Sequence, residues 1–132
     1  MTDRWRAWGP AVAWAVVLFL LSASPMRLGG GGWWSGIDDK VGHLCLYVVL
    51  GGALAWAWLR GAKRLPHAAM IAFGALYGAS DEWHQSFVPN RTPALGDWVA
   101  DVAGVLLGYG LTILAVAWLA RRAHGGAEER TT

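Results

Sequence analysis

Charge and cysteine are both scarce in this sequence of 132 residues. Only 15% of the residues are Asp, Glu, Lys or Arg while 55% are hydrophobic, well to the apolar side of an ordinary soluble domain. The single cysteine, Cys45, excludes a disulfide framework and a cysteine-based metal cluster, and its place inside an apolar run reads as small-residue packing. The net charge is +2 and the isoelectric point near 9.0, but Lys and Arg are scattered between apolar stretches and form no basic stripe, so nucleic acid is not the partner. A Ser-centred nucleophile motif, a P-loop, a dinucleotide fingerprint and an HExxH zinc motif are all absent. The chain is long enough for one folding unit and too short for two.

What the sequence has in quantity is tryptophan and long apolar runs. Ten Trp residues lower the mean hydropathy to +0.34 while favouring the membrane-water interface, where an indole rests its ring in lipid and its N–H near water. The first run, about Ala7 to Ala23, follows Arg4 and Arg6 and is just long enough to cross a hydrocarbon core. Ser22-Ala23-Ser24 also offers the small residues a signal peptidase accepts, so a cleaved signal stands as the alternative to an uncleaved first helix. Pro25, the glycines Gly29 to Gly32 and Trp33-Trp34 read as a loop with an interfacial anchor. A second run, about Asp39 to Leu59, is closed by Arg60, Lys63, Arg64 and Pro66. The third, about His67 to Phe87, takes in Asp81, Glu82, His84 and Gln85, and its last turns must be shielded from lipid. Pro89, Pro93 and Gly96 mark a short loop before the fourth, about Asp97 to Leu119, ended by Arg121 and Arg122.

The predicted fold is therefore all-α: a polytopic integral membrane protein, a compact bundle of four transmembrane helices over residues 1–122, with a polar, disordered tail at 123–132. Arg4, Arg6, Arg60, Lys63, Arg64, Arg121, Arg122 and Arg130 fall on one side of that topology, and only Arg27, Lys40 and Arg91 on the other. Cytoplasmic segments are enriched in Lys and Arg, so both termini are expected in the cytoplasm. Gly74 with Gly78 and Gly104 with Gly108 are small-xxx-small pairs suited to close helix packing, although 18 glycines make chance spacing a rival.

The polar residues gather at the opposite, outer ends of three helices. Helical geometry places Asp39, His43 and Tyr47 along one side, flanked by Lys40; Tyr77, Asp81 and Gln85 share another side with Glu82 beside them; Asp97 and Asp101 lie one turn apart. Asp39 and Asp97 have a plain alternative as helix N-caps. Asp81 and Glu82 do not, because they stand at a helix C-terminal end where the dipole disfavours negative charge, and an acid at membrane depth costs roughly 2.5 to 3.5 kcal/mol. An ion-pair network among Asp39, Lys40, Asp81, Glu82, Arg91 and Asp101 is the structural explanation; a substrate, ion or proton site is the functional one, and ionisable groups inside membrane bundles favour the latter. His84, beside Trp83, reads as an interfacial residue. Asp39, His43, Asp81 and Glu82 are the candidate catalytic residues, by acid-base chemistry or as metal ligands; Lys40, Tyr47, Gln85, Arg91, Asp97 and Asp101 are candidate substrate-binding residues, with Lys40 and Arg91 suited to phosphate. A divalent metal is compatible with these side chains, but no spacing compels one, and the cofactor stays open.

These residues resemble the VanZ-like family of membrane proteins. Asp39-Lys40 with His43 and Tyr47 is similar to the family's DKxxH segment, and Tyr77-Gly78 with Asp81-Glu82 and Gln85 to its DExxQ segment. Pro89, Arg91 and Asp97 follow in the order of its P-x-R and Asp motif, and Asp101 precedes Gly104 and Gly108. The likeness covers about residues 39–108; Asn90, where a glycine-like turn residue is common, and His84 are its departures. The resemblance implies an envelope protein, with one family member associated with low-level teicoplanin resistance, and it names a site without naming a reaction. Three functions fit: modification of a lipid or lipid-linked cell-wall headgroup at the outer leaflet, non-catalytic binding of a lipid, lipoglycopeptide or partner protein, and proton-coupled transport. The bilayer is the one partner all three share, and oligomeric state is open.

Overall fold

A computed structural model describes residues 2–23 and 35–128, and the side chains of 5–23 and 39–123. The proposed signal cleavage point at Ser24, the glycine and tryptophan loop, Arg27 and Arg130 lie outside the described residues. Four helices follow one another: α1 (Thr2–Ser22), α2 (Ser35–Ala57), α3 (His67–Gln85) and α4 (Leu95–Glu128), with no strand among the described residues. A wider π-type turn, Trp58–Ala62, extends α2 before Pro66, which lacks the N–H a continuing helix would need. Among the described residues, three segments are long and apolar enough to cross a membrane: Trp5–Ser22, Asp39–Ala62 and Leu95–Ala123. The polar residues that close α3 keep it out of that set.

Side-chain contacts fix the directions of the helices. Ala15 and Ser22 of α1 meet Tyr77 and His84 of α3, so these two run parallel. Leu44 and Val48 of α2 lie against Gly104 and Gly108 of α4, a second parallel pair. Gly74 and Gly78 of α3 instead meet Val105 and Asp101 of α4 in reverse order, so the two pairs are antiparallel to one another. This up-down arrangement brings the end of α1, the start of α2, the end of α3 and the start of α4 together. Arg6 and Arg60 line a common depression at the opposite end.

The glycine pairs are packing surfaces. A Cβ at Gly108 would run into the carbonyl of Val48, one at Gly104 into that of Leu44, and one at Gly51 into that of Val105, so α2 and α4 touch backbone to backbone. In lipid, where apolar side chains gain little by leaving their solvent, such close van der Waals approach is what holds helices together. The helix α1 is attached differently. It buries Ala7, Ala11 and Leu18, the Trp14 indole N–H donates to the Leu46 carbonyl at 2.9 Å, and the Tyr77 hydroxyl donates to the Ala15 carbonyl. The first run is thus part of the bundle, and its loss would strand the Tyr77 hydroxyl. Leu20, Leu76, Leu111, Leu114 and other large apolar side chains stay exposed on the outside, as the surface of a protein solvated by lipid requires.

Local details differ from the sequence reading. Helix α2 begins at Ser35, a turn before Asp39, which is therefore an interior helical residue and not a cap. Asp97 falls in the first turn of α4, where its charge suits the dipole. That helix continues to Glu128, beyond Ala123 where the sequence reading starts a tail, and does so through Gly125 and Gly126, which are poor helix formers. Cys45 is exposed on the outside of α2 instead of packed inside.

Candidate functional site at the polar end of the bundle

The polar end is built on α2 and α4. Their glycine contacts lock the register between them, and one turn further along His43 Nδ1 lies 2.8 Å from Asp101 Oδ1. Asp101 is fully buried, and the opposing Gly78 gives it room: a Cβ there would sit 3.1 Å from both Cβ and Oδ2 of Asp101. The carboxylate on the imidazole is therefore Asp101 from α4, whereas the sequence spacing pointed to Asp39 one turn away. With Nδ1–H donating to Asp101, the second ring nitrogen, Nε2, is the one able to accept a proton or bind a cation.

Lys40 reaches Asp97, with Nζ 3.3 Å from Oδ1. Its stem passes over Gly96, where a Cβ would come within 2.8 Å of Lys40 Cε, so the glycine ahead of Asp97 is what lets this contact form. Glu82, buried at the end of α3, accepts a hydrogen bond from the Ala94 N–H at 2.9 Å through Oε2. Its other oxygen, Oε1, is buried with no hydrogen-bond partner. Asp81 is buried beside it and accepts from Gln85 Nε2 at 3.1 Å, one helical turn on. The loop between α3 and α4 turns through Asn90, whose φ of 63° is left-handed. Asparagine tolerates that conformation, which accounts for its standing where a glycine-like residue is common.

These side chains divide into two neighbouring groups that share His43. One lines a cavity of about 110 Å³. Asp39, His43, Tyr47, Asp81, Gln85 and Arg91 give it polar lining, and Leu46 with Leu18, Leu21 and Ser22 of α1 complete it. In the other, His43, Glu82 and Asp97 each present one potential ligand atom, all within 4.8 Å of one another. Every sequence-predicted site residue falls in one group or the other, or contacts a member directly, as Lys40 and Asp101 do.

Two contributions were missed in the sequence. The wall from α1 carries no motif; Ser22 was read only as part of a cleavage site. His84, read as an interfacial residue, also packs against Phe19, with ring centroids 4.5 Å apart, and lies 3.4 Å from the Ser22 hydroxyl. Only a register between α1 and α3, invisible to local spacing, could have revealed it.

The family model for VanZ/LLP1 matches residues 7–116. The chain belongs to the VanZ/LLP1 family. In this family member the match takes in α1 as well as the motif-bearing helices, which agrees with the packing of α1 into the bundle. Neither a curated protein nor a solved structure matches the chain significantly.

Proposed function

We propose that this VanZ/LLP1 protein crosses the cell membrane four times with both termini in the cytoplasm, and that its polar end holds the headgroup of a lipid or lipid-linked cell-wall precursor at the outer face. The observation that carries this reading is the mixed lining of the cavity: acids, His43, Gln85 and Arg91 together with the α1 leucines Leu18 and Leu21. An amphiphile at the membrane boundary needs both kinds of lining, the polar groups for its charged head and the leucines for the start of its chain. A cavity of about 110 Å³ suits part of a headgroup, not a whole lipid. Four spans are supported by the antiparallel order, in which α3 returns the chain from the basic turn to the polar end; its 19 residues extend about 28 Å at the helical rise. Orientation rests on the basic residues Arg6, Arg60, Lys63, Arg64, Arg121 and Arg122 at the other end.

The test compares phospholipid and wall-precursor profiles, together with teicoplanin susceptibility, in a deletion strain complemented with wild type or Asp81→Asn. Wild type is expected to restore the parental pattern and Asp81→Asn, at equal membrane abundance, to leave it at the deletion state. Identical profiles and susceptibility in all strains would overturn the proposal. Unchanged profiles with a restored susceptibility difference would reduce it to binding without modification.

A further inference from the structure

We infer that His43, Glu82 and Asp97 form a binding site for one divalent cation of the Zn²⁺ or Mn²⁺ class, with Asp101 as the residue that positions His43. This goes beyond the headgroup reading and does not depend on it.

Three features carry the inference. The first is the donor set: one imidazole nitrogen and one carboxylate oxygen from each of two acids lie within 4.8 Å of one another, drawn from α2, α3 and α4. Bond lengths near 2.1 Å would require each donor to move inward by no more than about 0.7 Å, within the reach of side-chain torsions. Mixed nitrogen and oxygen donors suit Zn²⁺ or Mn²⁺, and three protein ligands leave a position open for water or a ligand oxygen.

The second is that two of the ligands are already oriented. Asp101 holds Nδ1 of His43 at 2.8 Å, the carboxylate-histidine arrangement that fixes the tautomer and leaves Nε2 as the nitrogen for a metal. The Ala94 N–H holds Oε2 of Glu82 at 2.9 Å, so the carboxylate is anchored by one oxygen while presenting the other.

The third is independent of the cluster's composition. Glu82 is 8% exposed, and its Oε1 has no hydrogen-bond partner. A buried carboxylate oxygen left without a partner is costly, and a bound cation is what would satisfy it. Two carboxylates would also neutralise a divalent ion, so the ion and its three ligands together carry no net charge. Lys40 stands against Asp97 on a flexible, half-exposed stem, so its ammonium competes with the cation and must swing away when the metal binds.

The experiment titrates the tag-free full chain in lipid nanodiscs, after chelator treatment, with Zn²⁺ by calorimetry and with Mn²⁺ by electron paramagnetic resonance. Binding of one ion per chain is expected, with a rise in Tm. Glu82→Gln and Asp97→Asn should each weaken binding by about 100-fold or more, and Asp101→Asn, which acts through His43, by about 10- to 100-fold. Lys40→Met should bind as tightly as wild type or more so, a result that mere disruption of the polar end could not produce. Circular dichroism and gel filtration establish that each variant is folded; if Glu82→Gln is not, Asp97→Asn and Lys40→Met decide the matter. Wild type binding neither ion more tightly than the Glu82→Gln/Asp97→Asn double variant overturns the inference. So does binding that all variants share, which would belong to surface histidines. Neither result touches the lipid and susceptibility comparison, so the two proposals fail separately.

Discussion

The two ends of the bundle use charge in opposite ways. At the basic end Arg60 lies over the Trp56 ring at 4.5 Å and Arg122 over the Trp118 ring at 3.9 Å, exposed side chains resting on aromatic faces. At the polar end Asp81, Glu82, Asp97 and Asp101 are all buried and bonded to groups from other turns or other helices. An exposed arginine costs the fold almost nothing and supplies orientation. A buried acid costs several kcal/mol unless it is paired, and this end of the fold gathers four of them. The basic end reads as address, the polar end as apparatus.

Three changes would break or sharpen that contrast. The largest effect is expected from Gly104→Val, because its side chain would collide with the Leu44 carbonyl and the Tyr47 Cβ and wedge α2 from α4. Overpacking of this kind costs about 1 to 3 kcal/mol or more, and here it also separates His43 from Asp101. Thermal unfolding in detergent should show a lowered Tm; an unchanged Tm would mean that the helices are not held by this crossing. Next comes Asp101→Leu, which leaves the half-buried His43 imidazole without its partner and should cost about 1 to 3 kcal/mol. The matching change at the other end, Arg60→Gln, should stay within about 0.5 kcal/mol, so equal losses from the two would erase the distinction. Smallest in stability, but decisive for direction, is single-cysteine labelling. In a Cys45→Ser background, a cysteine replacing Arg91 should react with a membrane-impermeant maleimide in intact cells, and one replacing Lys63 only after permeabilisation. The reverse pattern would invert the topology.

Much of this was legible in the sequence because the relevant signals are local. Apolar run length gave the helices, Arg60, Lys63, Arg64 and Pro66 gave the turn after α2, and the spacing of Asp39, His43 and Tyr47 gave a shared face. What local spacing could not supply is pairing between helices. It joined His43 to Asp39, its neighbour one turn away, whereas the bond is to Asp101, reached only because Gly104 and Gly108 let α4 settle onto α2 in one register. It likewise grouped Glu82 with Asp81 as adjacent acids, although consecutive helical positions point in different directions: Asp81 turns to the cavity and Glu82 to the Ala94 amide and Asp97. The contribution of α1 was hidden for a related reason. Leu18 and Leu21 are ordinary lipid-span residues until the third dimension sets them in one cavity with His43 and Asp81.

The bonds from Trp14 to the Leu46 carbonyl and from Tyr77 to the Ala15 carbonyl act as a depth gauge for α1. A helix of leucines and valines can slide along its neighbours in lipid at little cost, since one apolar contact replaces another. Two side-chain donors with fixed acceptors limit that freedom, because a shift of part of a turn would carry the N–H and the O–H away from their carbonyls. The height of Leu18, Leu21 and Ser22 beside His43 is thus set several residues away, from the middle of the membrane.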